Sequence, residues 1–105
     1  MSALRRYEIL VPLRFNDGSQ VPDELLAQSF TELRARFGAA SWETQTVRGA
    51  WENEGLVYED NLARFFVDVP DRPEHREFFR QFKEVLKGRF QQIEIWITSH
   101  PVDQI

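Results

Sequence analysis

The chain has no cysteine. Disulfides, thiolate nucleophiles and Cys-based zinc sites are therefore excluded, and the composition fits a reducing cytoplasmic compartment. It also lacks any apolar run near the ~18–20 residues of a membrane-spanning helix. Glu8 and Pro12 break up the one apolar stretch that follows the basic start Arg5-Arg6, so the opening reads as unexported, with no membrane partner. There is no excess of positive charge. The formal net charge is −4, which disfavours a broad phosphate-binding surface and with it a nucleic-acid partner. Histidine is scarce as well. His75 and His100 are the only two, and neither has a second ligand at metal-binding spacing. No Gly-rich phosphate loop, nucleophile elbow or His-Glu-x-x-His motif occurs. The residues point to no metal, no cofactor and no recognisable catalytic constellation.

Hydrophobic residues make up 42% of the 105, with nine Phe and three Trp. That is enough for a core, and the length suits one domain spanning 1–105. Tyr7, Ile9, Val11, Leu13 and Phe15 alternate with polar or mixed positions, the period of a strand with one buried face. Asn16-Asp17-Gly18-Ser19 supplies a turn. Pro22 with Asp23 and Glu24 starts a helix whose stripe is Leu25, Leu26, Phe30, Leu33 and Phe37, with Gly38 as its left-handed cap. Ser41 to Trp51 reads as one weak edge strand and Asn53-Glu54-Gly55 as its turn, with a bulge expected at Asp60-Asn61. Ala63, Phe65, Val67 and Val69 then share one strand face. Asp71 to Glu74 has capping-box spacing ahead of the stripe Phe78, Phe79, Phe82, Val85 and Leu86, and Gly88 is placed to cap that helix. Ile93, Ile95 and Ile97 form a last strand, ended by His100-Pro101.

The order strand, helix, strand, strand, helix, strand, with one apolar stripe per helix, predicts an α+β ferredoxin-like sandwich. Its four-stranded antiparallel sheet would be covered by both helices on one face, with spatial strand order four-one-three-two. If the Ile9, Phe65 and Ile95 parity faces the helices, the other parity puts Leu10, Phe66 and Trp96 on neighbouring strands among Glu8, Arg14, Arg64, Asp68 and Glu94. Contiguous exposed apolar patches are usually covered. This face is thus the candidate homodimer surface, with those charges pairing between copies. The competing readings are scattered surface hydrophobes and coverage by the tail from Val102 to Ile105.

The leading functional reading is a non-enzymatic homodimeric or partner-binding module; the alternative is a dimeric α/β-barrel-type protein that binds or converts a small molecule, with Arg64, Glu94, Tyr58 and His100 as polar participants. A second candidate region is the hairpin. Arg48, Trp51, Tyr58 and Glu59 sit there with Glu52, Glu54 and Asp60. Trp51 and Tyr58 suit a cross-strand aromatic pair, and Arg48 suits either a carboxylate ligand or Glu59. The acids suit a solvated edge better than an acid–base pair. An RNA-recognition platform is disfavoured. Leu62 to Val69 lacks the glycines of that signature and has Asp68 where an aromatic is needed.

The run Gly49-x-Trp51-x-x-x-Gly55-x-Val57-Tyr58-Glu59-Asp60, with Lys83 to Gln91, resembles a family of short uncharacterised bacterial proteins. The likeness spans Tyr7 to Ile97. It implies an aromatic hairpin, a similar helix and a final strand, and carries no assigned reaction.

Overall fold

The computed structural model describes residues 3–43 and 46–105, except the side chains of Tyr58 and Glu59. The expected Trp51–Tyr58 ring pair and any role of Glu59 therefore lie outside the described residues, as does Thr44. The element order is β1 (Leu4–Pro12), α1 (Asp23–Phe37), β2 (Ser41–Trp42), β3 (Val47–Asn53), β4 (Leu56–Pro70), α2 (Pro73–Arg89) and β5 (Trp96–Val102). β2 and β3 lie along one edge, followed by β4, β1 and β5, all antiparallel. This is the ferredoxin-like βαββαβ arrangement, with its second strand divided in two.

One parity of β1 and β4 forms the core. Tyr7, Ile9, Val11, Ala63, Phe65, Val67 and Val69 are buried against Leu26 and Leu33 of α1 and Phe79, Phe82 and Leu86 of α2. Antiparallel pairing makes this follow from the register. Ile9 faces Phe65 and Ile97, so all three strands point the same parity at the helices. Ring packing joins the layers. Tyr7 stacks on Phe79 with centroids 4.2 Å apart, and Phe37 stacks on Phe79 at 5.5 Å.

Several local expectations are corrected. β1 begins at Leu4 and ends at Pro12, where a missing N–H costs least, while Leu13 donates its N–H to the Asn61 carbonyl at 2.9 Å and accepts from the Val21 N–H at 3.0 Å. No bulge interrupts β4 at Asp60-Asn61, since its register against β3 runs unbroken from Leu56 to Leu62. The capping box does not close. The N-cap of α2 is Arg72 without a side-chain cap, because Asp71 is held by Arg5 at 3.2 Å instead. Gly88 lies inside α2. The helix ends at Phe90, and Gln91 takes the left-handed conformation with φ 55°. β5 starts at Trp96, later than expected, and runs through His100 and Pro101. Pro101 is tolerated because β5 is an edge strand. His75 sits in the first turn of α2. It is half-buried, edge-on to Phe37, and its Nδ1–H donates to the Pro70 carbonyl at 2.8 Å, which fixes the turn between β4 and α2.

β1 stops opposite Leu62, so the β3–β4 hairpin continues past the sheet as two strands. Its tip is a two-residue turn with Glu54 at φ 53° and Gly55 at φ 80°, the left-handed pair of a type I′ turn. Glycine adopts this freely, whereas glutamate pays about 1 kcal/mol or more. Glu54→Asn should raise the thermal unfolding midpoint by a few degrees, since asparagine tolerates the left-handed region. An unchanged or lowered midpoint would count against the turn assignment.

No helix among the described residues is long and apolar enough to cross a membrane.

Candidate functional site

The outer sheet face, away from the helices, carries a concavity of about 480 Å³. Leu10 and Trp96 stand directly opposite each other on β1 and β5 and form one wall. Pro12 and Leu62, opposite each other on β1 and β4, form the floor. The base of the hairpin closes a second side with Gly49, Trp51 and Asp60, and the segment before β5 closes the third with Ile93 and Glu94. Gly49 makes this shape possible. A Cβ there would sit 3.1 Å from Leu62 Cδ1, so the absent side chain leaves that corner open.

Two acids give the pocket polar points. Trp51 Nε1–H donates to Asp60 Oδ2 at 2.7 Å, which fixes the indole plane and the carboxylate together. These residues are diagonal neighbours on paired strands, Trp51 lying opposite Tyr58, so antiparallel geometry brings them within reach. Glu94 is gripped by Lys83 at 2.8 Å and accepts from the Ile95 N–H at 3.0 Å. The hydrogen bond from Lys83 holds its carboxyl below the usual glutamate range, with the Ile95 N–H adding to the effect. It is a carboxylate at neutral pH. The pocket thus presents two tryptophans and aliphatic walls with carboxyl acceptors at two points, that of Glu94 already paired with Lys83. Such a site suits a flat, mainly apolar ligand with hydrogen-bond donors or a positive charge.

Of the residues singled out from sequence, the structure gathers Leu10, Trp96, Glu94 and Trp51 into this pocket and separates the others. Phe66 is not part of one band with Leu10 and Trp96. Its ring is flanked by Arg6 and Arg64, each guanidinium carbon 4.6 Å from its centroid. Arg64 does not reach the pocket, because it is bound by Glu8 and Glu43. Arg6 takes Asp68 in a two-point pair at 2.7 and 2.9 Å, and that bond drives the Asp68 carboxyl below its ordinary range. The charges expected to pair between copies are therefore engaged within the chain, and Arg14 bonds the Gly18 carbonyl. His100 lies opposite Arg6, several residues along β5 from Trp96, and does not fold into the pocket. Arg48 is exposed opposite Asn61, beside a shallower depression, and makes no ion pair among the described residues.

The tail does not cover this face. Val102 pairs with Leu4 at the far end of β5, and Ile105 is fully exposed. Trp96 remains 63% exposed and Ile93 64%. Alternation along the sequence assigns Ile93 to the helix-facing parity, and it carries no signal that Gly49 and Leu62 meet at a pocket corner. Ile93 misleads because it precedes β5 and escapes its alternation. Among the described residues, no group of three or more His, Asp or Glu side chains is placed to hold a metal ion.

No protein-family model matches the sequence, and neither does any curated protein. Solved structures do match. A phage SAM lyase in complex with S-methyl-5′-thioadenosine superposes with a TM-score of 0.73 at 14% identity, over 99% of this chain and 92% of the other. The divalent cation tolerance protein of Thermus thermophilus gives 0.63 at 16% identity, over 96% and 85%. CutA1 from Oryza sativa gives 0.59 at 12% identity, over 98% and 83%. At these identities the likeness shows a shared fold, and the chain is similar to all three in its ferredoxin-like architecture over nearly its whole length.

Proposed function

We propose that this chain binds a small heteroaromatic molecule in the outer-face pocket and that a second copy covers the pocket mouth. The observation that carries the reading is the pocket itself. At about 480 Å³ it has the size of a nucleoside-class site, with Trp51 and Trp96 supplying ring surface and Asp60 and Glu94 the polar points. A structurally similar lyase was solved with S-methyl-5′-thioadenosine, so that thioether nucleoside is the first ligand to try. The second copy is supported by the large exposed apolar side chains around the mouth and the hairpin tip, Ile93, Trp96 and Leu56. A soluble monomer seldom leaves such a group uncovered.

Calorimetric titration with S-methyl-5′-thioadenosine and a panel of purine nucleosides tests the binding. Saturable binding is expected, weakened about tenfold or more by Trp96→Ala, since stacking on one ring is worth roughly 1–3 kcal/mol. No binding across the panel, or binding indifferent to Trp96→Ala, overturns the ligand reading. Light scattering tests the assembly separately. Trp96→Glu should shift the protein from dimer to monomer, and a wild-type monomer at high concentration rejects the pairing.

A further inference from the structure

On the helix side of the molecule, α2 carries Arg76, Arg80 and Lys83 at helical spacings of four and three residues, so the three cations form one stripe. The stripe borders β5, and between them lies a groove of about 150 Å³ whose other walls include Tyr7, Thr98 and Ser99. Its positive charge is incompletely matched. Arg76 makes no ion pair among the described residues. Arg80 has only a long contact to Glu77 at 3.5 Å, with both side chains largely in solvent. Lys83 is held by Glu94 from the far side of the sheet edge.

The second observation is Tyr7. The residue is 3% exposed, it lines this groove, and its phenol oxygen has no hydrogen-bond partner among the described residues. Buried hydroxyls are nearly always partnered, so an unpaired one beside a cationic stripe marks a place built to donate to something. Stacking on Phe79 at 4.2 Å holds the ring in position.

We infer that this groove binds a phosphoryl group, either free phosphate or the terminal phosphate of a small phosphorylated molecule. A dianion with several acceptor oxygens uses two guanidinium groups, an ammonium and a phenol O–H together, whereas a single carboxylate would leave part of that set unanswered. Glu77 and Glu84 interrupt the positive charge along α2, which disfavours the extended basic track that a polymer backbone needs. The groove lies across the sheet from the outer-face pocket and touches it through the Lys83–Glu94 ion pair, so Arg76 and Tyr7, which do not line that pocket, carry the test.

The test titrates inorganic phosphate, glycerol 3-phosphate and acetate into the full chain at constant ionic strength. Binding is followed by calorimetry and by amide shifts along α2 and β5. Saturable phosphate or glycerol 3-phosphate binding is expected, and the better of the two identifies the source. Arg76→Gln should weaken it about tenfold, as expected for losing a charge-assisted hydrogen bond. Tyr7→Phe should weaken it roughly threefold without lowering the thermal midpoint, because the stacked ring is kept and only an unpaired hydroxyl is lost. An acetate response equal to that of phosphate would overturn the inference, as would no response beyond that to sodium chloride. Affinities unchanged in both Arg76→Gln and Tyr7→Phe would reject it as well.

Discussion

Phe65→Ala is expected to remove about 3–5 kcal/mol of stability, the range for deleting a fully buried phenyl ring. Phe65 has no exposed surface and packs against Phe30 and Trp42, with centroids 5.7 and 5.1 Å away. It therefore ties α1 and the short edge strand β2 to the centre of the sheet. A domain of this size has roughly 5–15 kcal/mol in total, so the variant should retain little margin. Its neighbour supplies the control. Phe66 points to the other face, half-buried between Arg6 and Arg64, and Phe66→Ala should cost about 1 kcal/mol, in keeping with exposed cation–π contacts. Urea unfolding would measure both, with the midpoint falling far more for Phe65 at similar slope. A larger loss at Phe66 would invert the assignment of the two sheet faces.

Gly49→Val is expected to weaken ligand binding in the outer-face pocket strongly while leaving the fold intact. The new Cβ meets only the end of the Leu62 side chain, at 3.1 Å, and Leu62 can give way. Valine also suits a strand better than glycine, so stability should change by about 1 kcal/mol at most. The added isopropyl group and the displaced Leu62 both project into the corner between β3 and β4 that glycine leaves open. Affinity for any ligand that binds there should fall by about 2 kcal/mol or more, or roughly thirtyfold. Calorimetric titration beside a thermal melt checks the two halves together. Unchanged affinity in a folded Gly49→Val protein would mean that the ligand does not use this corner, and a collapsed melt would mean that the hairpin base is tighter than the geometry indicates.

The contrast between these positions shows how far residue pattern alone reaches. Parity along β1 and β4 identified Ile9, Val11, Phe65 and Val67 as core, because side-chain direction in a paired strand depends only on odd or even position. Parity also placed Leu10 and Trp96 on the outer face, and the register sets them side by side. It could not foresee that Phe66, on the same face, would be covered by Arg6 and Arg64, since Arg6 reaches it from β1 and Arg64, two residues away on β4, is held in place by Glu8 of β1. Ile93 marks the other limit. Its apparent alternation with Ile95 and Ile97 holds only if the strand has begun, and β5 begins at Trp96. The capping-box spacing at Asp71 failed for a similar reason. Arg5, distant in sequence, competes for that carboxylate.

By itself, the sequence determined the two helices, the order of the strands, the face each strand turns to the helices and the tight turn at Gly55. All of these depend on local periodicity and on backbone conformations set by one or two residues. Tertiary structure alone decided which outer-face residues form a pocket, which charges are already paired within the chain, and that the hydroxyl of the buried Tyr7 has no partner among the described residues. Each of those depends on the register between strands and the packing of helix on sheet, which bring together residues far apart in the chain.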